Sequence, residues 1–78
     1  MTNSSNFVLV KIAVGDEDDA YEKLKDVEGI DSIHFVYGEY DMVIIIRERD
    51  STKLRDIIMK QIRSVRGIID TTTLVAAD

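Results

Sequence analysis

Little in this chain is equipped for catalysis or metal binding. Among 78 residues there is one histidine, His34, and no cysteine. No His-x-x-x-His or Cys-x-x-Cys spacing exists, so a thiolate-ligated zinc or an iron–sulfur cluster has no ligand set. The serines stand in the first five residues and at Ser32, Ser51 and Ser64. None lies in a Gly-x-Ser-x-Gly elbow, and no histidine-oriented nucleophile can be built from them. The four glycines are too scattered for a phosphate loop. These residues predict no catalytic group, no metal ion and no cofactor, and His34 reads as a structural or interface residue.

One cluster has chemistry of its own, the segment Val36-Tyr37-Gly38-Glu39-Tyr40-Asp41. Gly38 permits a positive φ and leaves backbone amides accessible, Asp41 can take an ammonium group, and Tyr40 offers an aromatic wall with a hydroxyl. Thr71, Thr72 and Thr73, further along the chain, add hydroxyls that both donate and accept. Together these groups suit a small zwitterion, whose carboxylate needs N–H or O–H donors and whose amine needs an acceptor. Equally, the cluster makes an ordinary hairpin turn with a solvated Glu39.

Periodicity and turn residues give the elements that must position these groups. Phe7 to Val14 is β-branched and almost continuously apolar, a strand near the middle of a sheet, ended by Gly15. Four acids, Asp16 to Asp19, then sit where the positive end of a helix dipole favours them, with Asp16 a suitable N-cap. Ala20, Tyr21, Leu24 and Val27 follow at helical spacing, for about three turns, and Gly29 stops the helix. Ile30 to Tyr37 and Tyr40 to Arg47 read as two strands joined by a link short enough for an antiparallel hairpin. Asp50 or Ser51 caps a second helix with a stripe of Leu54, Ile58, Ile62 and Val65, and Gly67 closes it before a last strand, Ile68 to Ala76.

The order is βαββαβ, and the halves resemble each other at an offset of 38 residues, Val27-Glu28-Gly29-Ile30 matching Val65-Arg66-Gly67-Ile68. Two interleaved β-α-β units predict an α+β, ferredoxin-like domain: a four-stranded antiparallel sheet with both helices on one face and the first and third strands central. Both faces of those central strands are apolar, whereas two helices cover only one. The uncovered face is therefore expected to dimerise through Leu9, Met42, Ile44 and Ile46, sheet against sheet, as a dimeric α/β barrel. Small size points the same way, since so short a chain buries a modest fraction of its surface alone and has no cysteines to staple it.

Composition narrows the partners. The net charge is -5, and 32% of residues are charged against 45% hydrophobic. Phosphate backbones repel such a chain, so direct nucleic-acid binding is not expected. The longest apolar run, Met42 to Ile46, falls far short of a membrane span, and residues 1–6 read as a polar tail without a secretory signal, so a cytoplasmic location is the expectation. Residues 1–39 carry three bases and nine acids, while residues 40–78 carry seven bases and six acids. That asymmetry suits solvated helix faces or the docking of dimers into a ring.

The segment Tyr37-Gly38-Glu39-Tyr40-Asp41-Met42-Val43, the helix-ending Val65-Arg66-Gly67-Ile68 and the Thr71-Thr72-Thr73-Leu74-Val75 that follows resemble the C-terminal effector-binding (RAM) domain of the Lrp/AsnC transcriptional regulators. The resemblance covers residues 7–78, essentially all of the expected ordered chain. It implies a sheet-to-sheet dimer, further assembly into octameric rings, and an amino acid or related small metabolite bound where dimers meet. Effector-binding residues carried over are Gly38, Tyr40 and Asp41, with Asp41 the partner of an α-ammonium, and Thr71 and Thr73. A full regulator has a helix-turn-helix domain ahead of the first strand, so this chain looks like a stand-alone version that would act on transcription by joining full-length relatives. Related dimeric ferredoxin-like domains include small monooxygenases and isomerases, in which Asp41 or His34 would serve as base; a ligand-free scaffold is the remaining alternative.

Overall fold

The computed structural model describes residues 5–76. Strand β1 (Ser5–Ile12) leads through a turn to helix α1 (Glu17–Leu24), followed by β2 (Ile30–Phe35) and β3 (Met42–Arg47). Helix α2 (Ser51–Asp56) runs directly into a π-helical segment (Ile57–Ile62), and β4 (Ile68–Val75) completes the fold. The strands form one antiparallel sheet in the order β2-β3-β1-β4, with β1 and β3 central as their apolar composition requires. This is the βαββαβ, ferredoxin-like arrangement. No helix among the described residues is long and apolar enough to cross a membrane.

Strand β1 begins at Ser5, two residues earlier than the apolar pattern suggests, and residues 1–4 of the expected tail lie outside the described residues. Asn6 accounts for the extension. Its Nδ2 donates to the Ile46 carbonyl at 3.0 Å and to the Glu48 carbonyl at 3.1 Å, so a polar side chain satisfied by the far end of β3 takes a buried strand position. The second helix starts where expected, because the Asp50 carboxylate accepts from the amides of Thr52 (2.8 Å) and Lys53 (3.2 Å). Asp16 departs from expectation: its side chain caps nothing, and the Glu17 carboxylate instead accepts from Gly15 N at 2.9 Å. Gly67 explains why Asp16 lies where it does. Its φ is +96°, and a Cβ there would stand 2.6 Å from the Asp16 Cβ, so the turn entering α1 and the turn leaving the second helix touch through a missing side chain.

Between sheet and helices lies a core of nine buried residues. Val8 and Val10 of β1 and Met42, Ile44 and Ile46 of β3 are fully buried, and Leu24 of α1 and Ile62 of the second helix pack against them. Phe35 at the end of β2 packs against Tyr21 of α1, with ring centroids 5.6 Å apart and the ring planes tilted by 38°.

The register corrects the expected dimer face. Val8 pairs with Ile44 and Val10 with Met42, and paired residues share a face, so Met42, Ile44 and Ile46 point under the helices. Of the four residues assigned to the uncovered face only Leu9 belongs there. Its neighbours are Phe7 in the same strand, Val43 and Ile45 in β3, and Leu74 of β4, which pairs with Phe7. Five consecutive apolar residues, Met42 to Ile46, give no alternation from which to choose a face, and only pairing with β1 decides it.

Candidate functional site

The hairpin between β2 and β3 is fixed at its base and open at its tip. Val36 N donates to the Asp41 carbonyl at 3.0 Å, and Asp41 N donates to the Val10 carbonyl at 2.9 Å, which ties the loop to β1. Asp41 is tied a second time: Ile12 N donates to its Oδ2 at 2.8 Å. Strand β1 pairs with β3 only as far as Val10, and beyond that pair the Asp41 carboxylate supplies the acceptor for Ile12 N. Among the described residues nothing engages Oδ1 of this half-buried side chain. Beyond it, Tyr37, Gly38 and Glu39 are fully at the surface, and Gly38 turns the chain with a φ of +111° and open space around the position of a Cβ.

Tyr40 reaches from the hairpin to β4. Its hydroxyl lies 3.0 Å from Thr72 Oγ1, and Thr72 pairs with Leu9 on the face away from the helices. The ring therefore reaches across the uncovered face of the sheet, and its hydroxyl is already partnered. Sequence reasoning did not separate Thr72 from its neighbours, since three consecutive threonines carry no signal of which one faces which way.

Thr71 and Thr73 pair with Val10 and Val8, so they face the helix side. They line a shallow groove of about 330 Å³ between β4 and the outer flank of the second helix. Strand β1 lies between β3 and β4, so one strand separates these two hydroxyls from the strand that follows the hairpin. Gly38 and Asp41 form one cluster at the hairpin, and Thr71 and Thr73 form another on the helix side of β4. Among the described residues no group of three or more His, Cys, Asp or Glu side chains is arranged to hold a metal ion.

Comparison with known proteins adds to this geometry. The model of the Lrp/AsnC ligand binding domain matches residues 5–78. The HTH-type transcriptional regulator FL11 of Pyrococcus furiosus is 29% identical over 69 residues, which is 88% of this chain and 45% of FL11. An uncharacterised HTH-type transcriptional regulator of Pyrococcus abyssi is 26% identical over 57 residues, 73% of this chain and 38% of the regulator. The chain thus spans less than half the length of these curated relatives. The crystal structure of FFRP-DM1 superimposes with a TM-score of 0.86 at 30% identity, covering 94% of this chain and 97% of that one. A feast or famine regulatory protein from M. tuberculosis, complexed with L-methionine, superimposes with a TM-score of 0.78 at 25% identity over 96% of this chain and 50% of its own.

Proposed function

The chain belongs to the Lrp/AsnC ligand-binding domain family, and on that basis we propose that it is a non-catalytic sensor of an amino acid or a related small metabolite. Asp41 carries this reading. Its backbone and one carboxylate oxygen are anchored on β1 while Oδ1 stays free beside an exposed glycine turn. A carboxylate oriented in this way suits an α-ammonium group, because a charge-assisted hydrogen bond is strongest when the acceptor is already fixed. The methionine complex of the M. tuberculosis relative supports an amino acid as the ligand class.

Since Thr71 and Thr73 lie on the helix side of β4, away from the hairpin, the ligand sits in this reading at a contact between subunits. Subunits pair first through the uncovered sheet face, where Phe7, Leu9, Val43, Ile45 and Leu74 form an apolar surface of the kind that soluble chains cover with a second copy. Joining a full-length Lrp/AsnC regulator through the same face would carry the signal to transcription, provided the ligand binds two assembly states with different affinity. The enzyme alternative requires a cavity between sheet and helices, the layer in which the nine-residue core packs.

A thermal-shift panel of the twenty amino acids, with assembly mass followed in parallel, tests the proposal. One or a few amino acids are expected to stabilise the wild type and none to stabilise Asp41→Asn, which keeps an acceptor for Ile12 N and loses only the charge. Stabilisation of the wild type by no amino acid would overturn the sensor reading in favour of a scaffold.

A further inference from the structure

The groove holding Thr71 and Thr73 differs in charge from two larger grooves among the described residues. The chain as a whole carries -5, and both larger grooves, which lie between the helices, mix acids with bases: Asp16, Asp19 and Glu22 with Lys23 and Arg66 in one, Asp26, Glu28 and Asp56 with Lys23 and Lys60 in the other. The groove beside β4 is lined by two guanidinium side chains, Arg55 and Arg63, and by no carboxylate. Leu54 and Ile58 supply its apolar part, and Arg63 lies along the groove with Nη1 3.4 Å from the Met59 sulfur. Neither arginine forms an ion pair among the described residues. Two unpaired guanidinium groups next to threonine hydroxyls, over an apolar stretch one side chain long, make a receptor for a carboxylate on a short aliphatic stem.

We infer that the effector is an amino acid with an anionic side chain, its distal carboxylate held by Arg55, Arg63, Thr71 and Thr73 of one subunit. This rests on the sensor reading above, in which the hairpin of another subunit holds the α-ammonium at Asp41. The groove thereby sets specificity, since a neutral side chain leaves both guanidinium groups without a partner and a basic one meets like charge.

Calorimetric titration of the full chain with L-glutamate, L-aspartate, L-glutamine, L-methionine and glutarate tests the inference. Glutamate or aspartate is expected to bind at least about tenfold more tightly than glutamine, in line with one charge-assisted contact. In a double variant, Arg55→Gln with Arg63→Gln, that preference is expected to vanish, with circular dichroism unchanged because both side chains lie outside the core. Glutarate, which has no amine, binds through the arginines and is indifferent to Asp41→Asn. Glutamine or methionine binding as tightly as the acids, or acid binding that survives the double variant, overturns the inference and leaves the sensor reading standing. Glutarate binding through the arginines without any amino acid binding upholds the groove and overturns the sensor reading. Binding of none of the five overturns the groove.

Discussion

Two adjacent residues of β3 should behave in opposite ways. Ile44 is fully buried in the single chain, whereas Ile45, next to it, pairs with Phe7 on the face that the helices leave open. Truncating a core isoleucine to alanine costs about 2–5 kcal/mol. A domain of this length holds roughly 4–12 kcal/mol in total, so Ile44→Ala removes a large share of the stability and lowers Tm by roughly 8–40 °C at about 4–8 °C per kcal/mol. Ile45→Lys leaves the nine-residue core untouched and places an unpaired ammonium from each chain in the proposed subunit contact. At about 2–4 kcal/mol for each of the two lysines the dimer weakens by roughly 1,000-fold or more. Sedimentation velocity across a micromolar concentration series and circular dichroism melts separate the two effects. The lysine variant is expected to run as a folded monomer, and the alanine variant as a dimer that melts early. An Ile45→Lys protein without native circular dichroism, together with an Ile44→Ala protein that melts near the wild type, would refute the assignment of faces. A wild type that sediments as a monomer would remove the dimer itself.

Three further outcomes follow from local geometry. Asp50→Ala strips the acceptor from two helix-start amides and is expected to cost about 1 kcal/mol, read as a Tm lower by about 4–8 °C; an unchanged melt contradicts the cap. Gly38 and Gly67 both have positive φ, but a Cβ meets open space at the first and Asp16 at the second. Denaturant titration should therefore show Gly38→Ala losing about 1–2 kcal/mol of backbone strain energy and Gly67→Ala losing more; equal losses would argue against the contact between the two turns. Tyr40→Phe removes a hydroxyl committed to Thr72, so stability is expected to fall by about 0.5–1.5 kcal/mol with ligand affinity unchanged. An affinity loss matching that of Asp41→Asn would place the tyrosine in the ligand site.

How much of this was legible in the residues depends on whether their pattern carried contrast. Element order, the central place of β1 and β3 and the second helix start at Asp50 were readable because each has a local signature: a continuous apolar run, a turn glycine, a capping carboxylate. Facing was not readable in Met42–Ile46 or Thr71–Thr73, where neighbours are chemically alike and the decision comes from pairing with β1, some thirty or more residues away. The same limit affected the site. Asp41 was identifiable as a carboxylate beside a turn, but its anchoring comes from Ile12 N on a different strand, far away in the sequence. Arg55 and Arg63 read as part of a solvated helix face, and only the position of β4 beneath that face makes them the walls of a groove.

The central claim is that an amino acid is held between subunits with its ammonium on Asp41. A crystal structure of the protein grown with the amino acid that stabilises it most tests this directly. The ligand amine is expected within hydrogen-bond distance of Asp41 Oδ1 of one subunit, with its side chain directed into the groove beside β4 of another. A ligand enclosed within one chain, or seated away from the hairpin, would contradict the account.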